Sequence, residues 1–311
     1  MTASLRCSVT PRPRPQCRLT ARAPRYGGGV ARRDDSTLLR EVGLLDPPPA
    51  SEGLFRKGCW LRRVSAEPVL LFGGGRALLL EVAHPLVAAG VAEHSDFERE
   101  PFGRLQRTLD AVSAIVFADR GVALDAARAV AAAHLRVRGT LARDAGPFLA
   151  GTPYSGRDPE LLRWVWASLL DTALVVYQRF VDALPPAALA DYYADQRVLG
   201  QLLGIPEPML PPGIEEFRRY FADMLESDAV SITQQGRAIA RAVLSPERGY
   251  PGQGRVADLT TALLPAKLRE GFELPWDVER ARRVEAMAMS VRALRRRSAA
   301  SEPLDGQGEP R

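Results

Sequence analysis

Histidine is scarce enough in this chain that any imidazole chemistry must use one of three residues: His84, His94 or His134. His134 has the most suggestive setting. In a helix over 122–143, Val130, Ala133, Val137 and Leu141 form one apolar stripe, and His134 falls inside it. Arg138 follows one turn later on the same stripe, while Asp125, Arg128 and Arg136 take the opposite face. The spacing therefore predicts an imidazole and a guanidinium stacked in the interior at i and i+4. A buried guanidinium needs an anionic partner. An imidazole in such a place could ligate a metal or haem iron. It could equally be a core histidine bonded to a backbone carbonyl, with Arg138 paired to an acid, and spacing alone favours that plainer arrangement.

A second candidate lies on a helix over 101–118. Leu105, Leu109, Val112 and Val116 make its apolar face, and Arg104, Arg107 and Thr108 line one edge of that face. A polar edge beside an apolar wall suits the rim of a cofactor or substrate cavity, and also suits a solvated helix surface. Between His84 and Phe97, two histidines, Glu93 and Asp96 cluster among small residues. Glu81-Val82-Ala83-His84 has the ExxH form of di-iron bundles, which require two such units and two more carboxylates. No second ExxH exists, so a di-iron site is not expected. Gly73-Gly74-Gly75-Arg76 lacks the GK[ST] ending of a phosphate loop. It reads instead as a glycine run that lets a helix start close against its neighbours. No GxSxG elbow supports a serine nucleophile.

The elements that must position these residues are helical nearly throughout. The periodicity predicts helices over 52–63, 74–92, 101–118, 122–143, 158–183, 186–203, 213–227, 231–244 and 276–296. Strand alternation and hairpin turns are nearly missing. Residues 1–50 read as a disordered Arg/Pro-rich tail, 51–296 as one all-α domain, and 297–311 as a disordered C-terminal tail.

The net charge of +5 comes from the tail: residues 1–33 hold eight Arg and no Asp or Glu. Tyr26 is the one aromatic residue among those arginines, where a base-stacking platform would need several, so nucleic acid is not an expected partner. Cys7, Cys17 and Cys59 make no CxxC, CxxCH or zinc spacing, which excludes a c-type covalent haem. No uncharged apolar stretch reaches transmembrane length, and no apolar export segment is evident near the N-terminus. A cytoplasmic location is therefore expected.

The run Arg76-Ala77-Leu78-Leu79-Leu80-Glu81-Val82-Ala83-His84-Pro85 is followed by His94-Ser95-Asp96-Phe97 and Pro101-Phe102-Gly103-Arg104-Leu105. With His134-Leu135-Arg136-Val137-Arg138-Gly139-Thr140, Asp158-Pro159-Glu160 and Tyr192-Tyr193, this order of motifs resembles the catalytic domain of the MpaB-type and rubber-oxygenase (latex-clearing protein) family. The likeness runs roughly from residue 54 to 265. It implies a globin-like multi-helix bundle around a haem pocket, with haem b (iron protoporphyrin IX) held non-covalently. His134 would ligate the iron, with Arg138 as a second cofactor-binding residue. Arg104, Arg107 and Thr108 would form the catalytic polar group on the open face.

The implied activity is that of a haem-dependent oxygenase using dioxygen on a small lipophilic or isoprenoid-like molecule. Haem binding without turnover and a metal-free helical module are the alternatives. Two positions depart from the family. Arg107 stands where rubber-cleaving members carry an iron-capping lysine, and arginine, always protonated, is a poor iron ligand. Trp166 stands where many relatives have histidine. Rubber-cleaving members are also secreted, so polyisoprene itself is not the expected substrate.

Overall fold

The structure, a computed structural model, describes residues 39–40, 44, 48–95, 103–245 and 252–301. It is mostly helical, as expected. The helices are α1 (Trp60–Ser65), α2 (Gly74–Val82), α3 (Pro85–His94), α4 (Gly103–Phe117), α5 (Arg120–Arg136), α6 (Pro159–Phe180), α7 (Pro186–Leu202), α8 (Ile214–Glu226), α9 (Gln234–Leu244), α10 (Gln253–Leu263), α11 (Ala266–Gly271) and α12 (Val278–Ser301). A two-stranded antiparallel ribbon, β1 (Arg138–Thr140) and β2 (Pro153–Ser155), interrupts the series. Residues 1–38 and 302–311, which hold most of both expected tails, lie outside the described residues. So does the expected opening of the 101–118 helix at Pro101.

The core forms around α6. Its Trp164, Trp166, Leu170 and Phe180 are almost fully buried, and α1, α2, α7 and α12 pack against it. Asp158 starts this helix by accepting the Glu160 N–H, with Pro159 at the first helical position. The glycine run does what its composition implies. A methyl group on Gly73 would lie 2.5 Å from Thr172 Cγ2 of α6, one on Gly74 would lie 2.8 Å from Leu105 Cδ2 of α4, and one on Gly75 would collide with Thr260 of α10. Three consecutive glycines thus let three helices close on the start of α2.

Arg76 locks that junction. It is 3% exposed and donates to the Leu263 carbonyl (Nε, 2.7 Å), Thr172 Oγ1 (2.6 Å) and Asp171 Oδ2 (2.5 Å). Burial pulls its pKa down and Asp171 opposes the shift. Replacing one member of a buried, hydrogen-bonded pair strands the other. Arg76→Met is expected to cost about 3 kcal/mol in urea unfolding; a loss within experimental error would show the triple contact to be dispensable.

Several helix assignments change. The 52–63 helix is confined to a 3-10 turn at Ala50–Glu52 and to α1, with residues 53–59 non-helical between them. The 74–92 helix is broken at Ala83-His84, and the segments Pro68–Val82 and Pro85–His94 meet at 111°. Pro85 has no N–H to continue the ladder and holds His84 extended (φ −86°, ψ 122°). The 122–143 helix stops at Arg136, because Val137 turns extended and the chain enters the ribbon. Helices α10 and α11 were not foreseen, and the C-terminal helix runs on to Ser301. No single helix among the described residues is long and apolar enough to cross a membrane.

Candidate functional site

Helices α4 and α5 form an antiparallel hairpin joined at Ala118-Asp119, where the Asp119 side chain caps α5 by accepting the Val122 N–H. Counting back from the turn, the last turn of α5, with His134, lies at the same end as the first turns of α4, with Arg104, Arg107 and Thr108. The two segments singled out by sequence, about thirty residues apart, are thereby brought to one place.

Between them is a cavity of about 350 Å³, within the range of small-molecule sites. Arg107, Thr108, Ala111, Val112 and Ile115 line it from α4, and Val130, Ala133 and His134 from α5. Leu86, Val87, Gly90, Val91 and His94 come from α3. Leu161, Leu162, Val165 and Leu169 of α6 close the floor, and Tyr154, Ser155 and Gly156 form a side wall. The lining is overwhelmingly apolar. Ala133 and Arg107 are exposed, so this end of the cavity opens outward. His134 is half-buried with its Nδ1 shut off from solvent. Arg104 belongs to the first turn of α4, and its side chain lies outside the described residues.

The expected stripe is thus partly right. Val130, Ala133, His134 and Val137 do share one face, but they border a hollow rather than a packed core. The expectation that Arg138 stacks under His134 in the interior is corrected. With the helix ended at Arg136, Arg138 is a ribbon residue on the exposed side of the alternation. Its carbonyl contacts His94 Nε2 at 3.2 Å.

His84 does not reach the cavity. It caps α3, its Nδ1 accepting the Leu86 N–H at 3.3 Å, and its ring packs on Phe148. Burial depresses its pKa to about 4, with Asp158 opposing weakly. The neutral imidazole is the one the fold holds. The unfolded chain takes up a proton near pH 6.5, the folded chain only near 4, so stability falls as pH drops through that window. The expected loss is about 3 kcal/mol, complete below pH 4. His84→Asn keeps a capping oxygen and should flatten this part of the stability–pH curve in denaturant titrations. An unchanged slope between pH 6.5 and 4 would assign the acid sensitivity elsewhere.

Two cavity residues went unrecognised in the sequence. Glu81, 5% exposed, lines the hollow; in the ExxH pattern it belonged with His84, yet the break at Pro85 sends the two in different directions. Tyr154, 4% exposed, comes from a ribbon that was not anticipated. Gly139, Gly151 and Pro153 within the stretch expected to be helix or coil were the available signal. Trp166, the other departure, is away from the cavity. It donates to the Gln196 carbonyl at 3.0 Å and packs with Tyr193 and Phe217. The substitution therefore belongs to the core and leaves the cavity wall untouched.

Among the described residues no group of three or more His, Cys, Asp and Glu side chains could hold a metal ion. The imidazoles that border this apolar hollow, His134 from α5 and His94 from α3, are a donor set that would suit a metal bringing most of its own ligand atoms, as a porphyrin iron does. The donor set and the walls therefore fit a haem.

The family model described as "ER-bound oxygenase mpaB/B'/Rubber oxygenase, catalytic domain" matches residues 61–293. An uncharacterized protein of Mycobacterium bovis and an uncharacterized protein of Mycobacterium tuberculosis are each 28% identical over 230 residues, covering 69% of this chain and 84% of theirs. No solved structure matches significantly.

Proposed function

Because the chain belongs to the mpaB and rubber-oxygenase catalytic-domain family, we propose that it is an oxygenase that holds haem b through His134 and acts on a small lipophilic, isoprenoid-like molecule. The observation that carries this reading is the His134 imidazole of α5 bordering an apolar cavity whose facing helix presents Arg107 and Thr108. In this reading the bundle is globin-like in its use of one helix-borne histidine. Bound haem supplies the centre at which dioxygen is activated.

The chain's own residues do the rest. Leu86, Val112, Ile115 and Val165 keep the hollow apolar, which favours a hydrocarbon over a polar metabolite and excludes water from the reacting groups. Arg107, exposed at the open end, would give a haem propionate a cationic partner. Thr108 lines the cavity from α4 and offers it a hydroxyl donor. Arg138, on the outer face of the ribbon, can serve a propionate only from solvent. Glu81 offers a carboxylate to hold or release a proton inside the hollow.

The test is dioxygen uptake by the haem-loaded protein with a panel of lipophilic alkenes and polar analogues of similar size. Uptake and product formation with the alkenes alone are expected. A stably coloured protein that consumes no dioxygen with any of them would leave haem binding without turnover.

A further inference from the structure

The chain between His134 and α6 does more than connect two helices. It leaves α5 at Arg136, runs out as β1, returns as β2 and reaches Gly156 beside its starting point. The Gly156 N–H donates to the Val137 carbonyl at 2.7 Å. A methyl group on Gly156 would lie 2.8 Å from the His134 carbonyl oxygen, 2.9 Å from Val137 Cβ and 3.4 Å from His134 Cα. These are mostly backbone atoms, so the returning strand rests directly on the turn that carries the imidazole.

The ribbon is in turn fastened to α3 at two points. The Tyr154 hydroxyl donates to Glu93 Oε2, and His94 Nε2 meets the Arg138 carbonyl at 3.2 Å. Tyr154 stands directly opposite Gly139 in the ribbon. Any side chain on Gly139 would collide with the Tyr154 hydroxyl and come within 3.0 Å of Glu93 Oε2. The bare glycine is what leaves room for the bond. Burial and the neighbouring carboxylate both push the tyrosine pKa upward, so the phenol remains the donor.

We propose that Tyr154 and Glu93 are positioning residues for His134, docking the ribbon on α3 so that Gly156 seats the last turn of α5. The inference rests on the reading of His134 as the iron ligand and extends it to the residues that hold the ligand in place. His134 stands in the last turn of α5, where the helical bonding ends with the Val137 N–H donating to the His134 carbonyl at 3.1 Å; the ribbon packs on that turn from outside. Supporting groups of this kind set ligand orientation and contribute strongly to metal affinity.

The experiment compares Tyr154→Phe, Glu93→Ala and Glu93→Gln as full-length proteins. Haem affinity is read by absorption titration, and the His134 ring signals are read by NMR in the haem-free protein. Tyr154→Phe and Glu93→Ala should weaken haem binding about tenfold and move the His134 signals. Glu93→Gln keeps an oxygen that accepts the tyrosine proton and should stay near the wild type in both. Wild-type affinity and unmoved His134 signals in Tyr154→Phe and Glu93→Ala would overturn the proposal. If the wild type takes up no haem, the haem reading fails by itself, and the ring signals alone decide whether the ribbon positions the histidine.

Discussion

His134→Ala is expected to abolish haem uptake while leaving the fold intact. The ring is half-buried at the end of α5 and borders a hollow, so its removal enlarges an existing space rather than opening a hole in packed core, and the cost in stability should be small. The cost in binding should be large, because the described residues around the cavity offer no equivalent protein ligand on that wall. A loss of about 3 kcal/mol is already about a hundredfold in affinity. The Soret band should therefore vanish at haem concentrations that saturate the wild type, and added imidazole should restore part of it by entering the vacated space. Full haem occupancy in the variant would remove His134 from the role of ligand. His94, which also borders the cavity, would then be the next imidazole to test.

Glu81→Gln is expected to cut turnover by about a hundredfold or more and to leave haem uptake unchanged. A carboxylate only 5% exposed beside apolar walls is costly to keep in the fold unless its environment compensates it. Function is one reason for a protein to retain such a group. Glutamine preserves shape and hydrogen-bonding capacity but cannot exchange a proton. Single-turnover and steady-state rates of the haem-loaded variant, measured with its spectrum, separate the two effects. Wild-type rates in Glu81→Gln would reduce Glu81 to a structural carboxylate, and a lost spectrum would make it part of the cofactor seat.

The sequence made the helical class legible because its signals are local. Apolar residues recur at helical spacing, and Asp158-Pro159 or Pro185-Pro186 mark helix starts in two or three residues. The pairing of the 104–108 and 130–134 segments was legible only through the family likeness, since the hairpin turn at Ala118-Asp119 that brings them together carries no loud breaker. What misled was the treatment of breakers inside periodic stretches. Val137 continues the apolar period of α5, so periodicity alone extends the helix through Val137-Arg138-Gly139 and puts Arg138 indoors. A β-branched residue followed two positions later by glycine gave a weak local preference for leaving the helix, and the cross-strand pairing with residues 153–155 decided the matter. Pro85 is the stronger breaker, masked by the largely apolar run from 77 to 92 on either side of it. Glu81 was hidden for the same reason: its partnership with His84 assumed one continuous helix.

The central claim is that an iron porphyrin sits between α4 and α5 with His134 as its protein ligand. Crystals of the haem-loaded full-length protein, measured at the iron absorption edge, test it most directly. One anomalous peak should appear in the hollow between Thr108 and His134, within bonding distance of the imidazole. Iron bound elsewhere, or a hollow filled by its own aliphatic side chains with the imidazole turned to water, would contradict it.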